Sequence, residues 1–361
     1  LGTGPIRGFG LTLIISLSAN LFTAVFVCRY LFDLLTARGT LAALPMRQLF
    51  KRPNLDFLSK RHICALVSIV IIVVGAVPFG IRWVNQNKAM ASGKTQAGAS
   101  LLHIPIKGIE LTGGDSVRLD FTNVVDIALV RSALNQVNLG DSTIQSVGDG
   151  SEVLIRSPFN TSDQVIQTLR DAPAFKDNPF DVGEQQQIGP ATGSDLVTKA
   201  MLAIGFSLVA MVVFLWYRFE WAYGLGAILA LTHDVLVVLA FFALTGRQIS
   251  LNVIAALLTI VGYSVNDTIV VFDRVREDVR INKTMPLQSI MNLAINQTLS
   301  RTILTSSTTL FVVLAQFLFG GEVINDFAFA LLVGIIAGTY SSIYIASPVV
   351  LFFNKLFGRR A

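Results

Sequence analysis

The feature that most constrains this chain is a carboxylate inside an apolar run. From Leu251 the sequence reads Leu-Asn-Val-Ile-Ala-Ala-Leu-Leu-Thr-Ile-Val-Gly-Tyr-Ser-Val265, then Asn266-Asp267, then Thr-Ile-Val-Val-Phe272. A stretch of this length and apolarity predicts a bilayer-spanning helix. A charged Asp at the centre of such a helix costs about 2.5–3.5 kcal/mol on insertion scales unless something compensates it. Asp267 therefore needs a partner or a job. The nearest candidate partner is Arg301, in Gln297-Thr-Leu-Ser-Arg301-Thr, which is predicted to stand at the start of the next apolar run, 303 to 319. Two readings of the pair are open. One is an inert ion pair, or an Arg301 that snorkels to the interface. The other is a proton or ion site whose charge state is linked to helix movement.

Composition agrees with a membrane chain. Hydrophobic residues make up 53% and charged residues 14%, against about 25% charged in soluble domains. Mean hydropathy is +0.63. The net charge of +5 resides in a few loops, so it speaks of topology rather than nucleic acid. Cys28 and Cys64 both fall at predicted helix ends near the membrane, and the long polar segment has none, so no disulfide framework is expected.

Seven spans are predicted: 8–35, 63–83, 198–217, 221–245, 250–272, 302–319 and 326–353. The implied organisation is a first span over 1–35, a cytoplasmic connection over 36–62 and a second span over 63–83. A polar domain follows over 84–195, then a five-helix bundle over 196–353 and a tail over 354–361. The odd number has an explanation in an internal repeat. Gly8-Phe-Gly-Leu-Thr-Leu13 through Thr23 aligns with Asp326-Phe-Ala-Phe-Ala-Leu331 through Ser341, matching Phe with Phe, Leu with Leu, Ala with Ala and hydroxyl with hydroxyl. The first span then reads as the closing helix of an earlier homologous half, and the chain, which opens on Leu1, as part of something longer.

Lys and Arg cluster at 38–61, at 274–283 and at 355–360, with Arg218 in a short turn on the same side. The positive-inside rule makes 36–62 and 274–300 cytoplasmic and the 84–195 segment extracytoplasmic. That segment reads as a βαββαβ ferredoxin-like domain. Its strands are predicted over 113–121, 142–147, 152–156 and 179–188. Helices are predicted over 124–139 and from a Thr161 N-cap through Leu169. Within the bundle, His233 and Asp234 sit near the middle of a span, either as a second element of an ion path or as a fixed polar link between helices. Gly262, Gly334, Gly338, Ser341 and Ser342 read as small-residue packing faces.

Several strings together carry a resemblance. They are Gly108-Ile-Glu-Leu-Thr-Gly-Gly114, Arg218-Phe-Glu-Trp221, Leu229-Ala-Leu-Thr-His-Asp234, Tyr263-Ser-Val-Asn-Asp-Thr-Ile-Val-Val-Phe-Asp-Arg274 and Thr298-Leu-Ser-Arg-Thr-Ile-Leu-Thr-Ser306. The chain resembles the SecF half of the bacterial SecD/SecF protein-export pair, with 1–35 similar to the last SecD helix. That family belongs to the resistance-nodulation-division superfamily. Glu110-Leu111 stands where the family usually has Asp-Phe, and 83–106 is longer and less regular. The resemblance implies a helical polytopic membrane protein, a six-helix SecF repeat plus one SecD-like helix with the extracytoplasmic α/β domain. It also implies an auxiliary role in Sec translocation, driven by the proton gradient, in the inner membrane. Implied partners are the SecYEG translocon, a SecD-like half, the translocating preprotein, YajC and YidC. No cofactor, metal or catalytic residue is expected; the resemblance implies Asp267 and Arg301 as proton-path residues, and Asn266, His233 and Asp234 are added as candidates for the path from their own positions in the spans. A small-molecule or lipid exporter of the same superfamily, or a passive translocon scaffold, is the alternative. The compact polar external segment disfavours the exporter.

Overall fold

The computed structural model describes residues 5–39, 53–91, 107–147 and 150–356. Seven helices among them are long and apolar enough to cross a membrane. The first is α1 (Pro5–Phe22), a π-helical turn at Thr23–Val27 and α2 (Cys28–Ala37) in one rod. Next comes α3 (Arg61–Ala91). The short α4 (Ile109–Thr112) opens the sheet domain, which holds β1 (Gly114–Phe121), α5 (Ile127–Asn135), β2 (Thr143–Val147), β3 (Glu152–Ser157), α6 (Ser162–Asp171) and β4 (Phe180–Ile188). Then follow α7 (Pro190–Arg218), α8 (Trp221–Thr245), α9 (Leu251–Ile281) and α10 (Leu287–Phe319). The last rod is α11 (Glu322–Ser341), a π-helical turn at Ser342–Ala346 and α12 (Ser347–Leu356).

The two rods that carry π-turns bear on the internal repeat. The alignment pairs Thr23 with Ser341, and the second π-turn begins one residue later, at Ser342. A π-turn is rare and local, so its recurrence at matching places is independent of the apolar composition that makes helices align by chance.

The sheet domain has strand order β2-β3-β1-β4, antiparallel throughout, the ferredoxin-like arrangement expected from the βαββαβ order. Alternating residues of β1 and β3 (Val117, Leu119, Val153, Ile155) meet Val130 and Leu134 of α5 and Val165 and Leu169 of α6, all fully buried. The predicted Thr161 cap is corrected. Its hydroxyl bonds to Ser157 and Pro158, and the cap of α6 comes from Asp115 on β1 instead. That buried carboxylate accepts from the backbone N–H groups of Asn160, Thr161 and Ser162 at 3.2, 2.8 and 2.8 Å. A cap from a distant strand leaves no local signature. The predicted helix over 124–139 is shorter, because Asp126 caps it by accepting from Ala128 N–H.

The polar connection predicted over 274–300 is also corrected. Only 282–286 separate α9 from α10, and Arg301 lies in the interior of α10, not at a helix start. Two things extend these helices beyond the apolar runs. Arg274 reaches Glu277 and Asp278 at the i+3 and i+4 positions that stabilise a helix surface. Ile290, Met291, Ala294 and Ile295 form a buried stripe on an otherwise polar segment. The chain entering α3 docks on that same part of α10, where Asn296 accepts from Leu55 N–H and Asn292 from Phe57 N–H, both at 2.9 Å.

Helices approach closely where side chains vanish. A Cβ on Gly75 of α3 would overlap Ala240 of α8 at 2.1 Å, and one on Gly334 of α11 would overlap Ile260 of α9 at 2.4 Å. Near the same end of the bundle Arg82 of α3 is 1% exposed. Its guanidinium donates to the carbonyls of Phe242, Ala243, Gly246 and Arg247, at 2.9–3.4 Å. It thereby ties α3 to the C-terminus of α8, where Gly246 takes the left-handed conformation (φ 73°) that ends the helix.

The sheet domain joins the bundle without slack. Only Gly189 separates β4 from α7. Gly108 N–H donates to Ile249 at 3.0 Å, and Glu110 Oε2 accepts from Leu251 N–H, the first residue of α9, at 2.6 Å. Burial raises the Glu110 carboxyl above its ordinary 4.5, against the lowering effects of that hydrogen bond and of Arg156.

Two expectations follow. Replacing Arg82 by Met removes a buried charged donor shared by four carbonyls at the end of α8 and is expected to destabilise the bundle by about 2–3 kcal/mol, read as a lower melting temperature in detergent. A carboxyl raised in the folded state contributes stability that is complete below about pH 4.5 and is lost as pH rises through its folded value. Glu110→Gln keeps the acceptor and removes the charge. Thermal melts across that range should show wild type falling behind the variant as pH rises, and the two converging in acid.

Candidate functional site

One set of the bundle's buried polar groups gathers where α8, α9, α10 and α11 meet. Asp234 of α8 is fully buried. Its Oδ2 accepts from Ser264 of α9 at 2.5 Å and from Ser341 of α11 at 2.9 Å, and its Oδ1 lies 3.0 Å from His233 Nδ1. Asp267 of α9 is 3% exposed and accepts from Ser306 of α10 at 3.2 Å. Ser306 in turn lies 2.8 Å from the hydroxyl of Thr339 on α11, and Thr268 lies 3.0 Å from that of Ser342. Ser264 and Asp267 are three residues apart, about 4.5 Å along the helix axis, so the two carboxylates belong to one polar layer.

The approach of α11 to α9 creates this layer. A Cβ on Gly338 would stand 3.0 Å from that of Ser264, so a larger residue would push Ser341 and Ser342 off their partners. At the π-turn beginning at Ser342, Ser347 Oγ donates to the Ser342 carbonyl at 3.1 Å. Such bulges often mark functional sites in helices.

The predicted residues separate into two groups. His233, Asp234 and Asp267 are buried in the layer, the first two in direct contact. Asn266 and Arg301 are exposed, on the uncovered side of α9 and α10, with Arg301 near enough to act on Asp267 electrostatically. Asp267 and Arg301 form no ion pair within 4.0 Å among the described residues. What touches Asp267 is a hydroxyl, one and a half turns beyond Arg301 on the same helix. The serines at 264, 306 and 341 and Thr339 were not singled out by sequence reasoning as groups for the acids. The signal was a hydroxyl three residues before Asp267 and another five after Arg301, inside apolar runs.

Chemically, the layer can carry a proton. A hydroxyl donates one hydrogen bond while accepting others, so Ser306 and Thr339 form a relay from Asp267, and Ser264 and Ser341 tie Asp234 to two helices. Asp234 has three hydrogen-bonding neighbours and Asp267 one, so Asp267 is the less compensated charge. His233 Nε2 is buried with no partner among the described residues, and its ring stacks near Tyr340 at 6.1 Å.

Comparisons with known proteins agree with this architecture. Residues 171–356 match the family model "Protein export membrane protein SecD/SecF, C-terminal". The chain is similar to the protein translocase subunit SecF of Desulfurispirillum indicum, 41% identical over 309 residues, covering 83% of this chain and 92% of that protein. It is 40% identical over 310 residues to SecF of Calditerrivibrio nitroreducens, covering 84% and 95%. The fold is similar to the crystal structure of SecDF, a translocon-associated membrane protein from Thermus thermophilus, with TM-score 0.81 and 33% identity over 98% of this chain. This chain spans 46% of that longer one. The helices, the sheet domain and these matches together place the chain in the SecD/SecF family of protein-export membrane proteins.

Proposed function

We propose that this chain is the SecF-type half of an auxiliary membrane component of Sec translocation, in which the proton gradient drives the export of preprotein. The observation that carries the reading is Asp267, a carboxylate at membrane depth, 3% exposed, held by one hydroxyl and packed among four helices. A buried acid with so little compensation marks an ion pathway in a membrane helix.

In this reading a proton descending the gradient neutralises Asp267 and later leaves it. The charged form needs Ser306, and through it Thr339, turned toward it. The neutral form releases them, so the spacing of α9, α10 and α11 answers to the charge. Arg301 acts from the exposed face of α10, biasing the acid electrostatically without contact. Asn266 shares that uncovered side, which suits coverage by a SecD-like half. His233 and Asp234 extend the path sideways within the same layer, to His233 at the inner end of a cleft between α3 and α8. Positive-inside charge makes the end of the bundle away from the sheet domain cytoplasmic and the sheet domain extracytoplasmic. The start of α9 is bonded to Gly108 and Glu110 at the base of the sheet domain, so helix movement is delivered there and draws preprotein outward. One proton crossing about 150 mV supplies roughly 3–4 kcal/mol, enough to shift a conformational balance but not to unfold a domain. SecYEG, with YajC and YidC, is the assembly in which this would operate, in the bacterial inner membrane.

The test uses the full-length protein with its SecD half, in vesicles bearing a proton gradient. Asp267→Asn should abolish the gradient-dependent part of export, at least tenfold, while leaving insertion and assembly with SecD unchanged. Ser306→Ala should weaken the coupling with the same sign and smaller size. Unchanged export and unchanged gradient dependence in Asp267→Asn would leave only a passive scaffold.

A further inference from the structure

At the end of the bundle opposite the sheet domain, a cleft of about 1710 Å³ opens between α3, α8, α12 and the 282–286 turn. Its mouth carries charge of one sign. Arg61 begins α3, Lys283 lies in the turn after α9, Lys355 lies in the last turn of α12, and His62 stands beside Arg61. No carboxylate is among its described lining residues. All of these lie where helices end. Past the mouth the walls turn apolar, with Ile72 of α3, Leu229 of α8 and Phe352 of α12, and the inner end reaches His233.

We infer that this cleft binds an anionic phospholipid, headgroup on Arg61, Lys283 and Lys355 and acyl chains along Ile72, Leu229 and Phe352. Three features point to a lipid rather than a soluble ligand. The volume exceeds the about 300–1,000 Å³ of ordinary small-molecule sites. Polarity changes from cationic to apolar in the order a phospholipid presents. The position matches basic pockets between membrane helices that hold acidic headgroups, where each Lys or Arg contributes about 1 kcal/mol. The site does not depend on proton coupling, so each can fail without the other.

The experiment takes the full-length protein with its natural partner subunits into nanodiscs of mixed phosphatidylglycerol and phosphatidylethanolamine. Retained lipid is counted by native mass spectrometry, and a photo-crosslinking residue is placed at Ile72. Wild type should retain phosphatidylglycerol over phosphatidylethanolamine by about tenfold or more. Lys283→Gln with Lys355→Gln should bring the two lipids to parity, whereas Arg29→Gln with Arg38→Gln, an equal loss of charge outside the cleft, should not. The Ile72 crosslink should carry lipid. Parity in wild type, a preference that survives the lysine variant, or a crosslink to peptide, whether residues 40–52 or a partner subunit, would each overturn the inference.

Discussion

Two acids shut away from water are the constraint on which this bundle depends. Asp234 and Asp267 sit where bulk solvent cannot hydrate them, so the surrounding helices must supply donors. They do so with hydroxyls rather than cations, which restricts what else can stand there. Hydroxyl side chains are short, so their helices must come close, and Gly334 and Gly338 of α11 permit that approach to α9. The polar layer and the glycine contacts are therefore one design seen from two directions. A bulkier α11 would cost packing and strand the carboxylates together.

The two acids are not equivalent within this design. Asp234 is enclosed by His233, Ser264 and Ser341 and joins three helices. Asp267 has Ser306 alone, and Ser306 is shared with Thr339. A group whose stabilisation comes through one rotatable hydroxyl is the place where a small rearrangement changes the electrostatic balance most. Placing Arg301 on the outer surface of α10 gives it an influence on Asp267 that acts at a distance.

How much of this was visible in the amino acids follows from how local each cause is. The long apolar runs and the alternation of β1 and β3 are local, and they forecast the spans and the ferredoxin-like sheet. The first half of α10 escaped because its apolar stripe, Ile290 to Ile295, is diluted by polar neighbours and its helicity is supported by docking of the distant Leu55–Phe57 segment. Arg301 was misplaced for the same reason, since a helix start was inferred from where apolarity begins. The cap of α6 escaped because Asp115 lies on another strand. Asp267 and Asp234 stood out as anomalies, but the serines that answer them looked like ordinary small residues until the helices were assembled.

The attachment of the sheet domain has a mechanical consequence. With one glycine between β4 and α7, and backbone bonds from 108–110 to the first turn of α9, the domain is seated on the bundle at two separate helices. A body held at two points cannot flutter independently, as a bead on a string would. Relative displacement of those two helices is converted into tilt, with the α4 segment as the fulcrum, and ångström-scale shifts at the base become larger arcs at the far edge of the sheet.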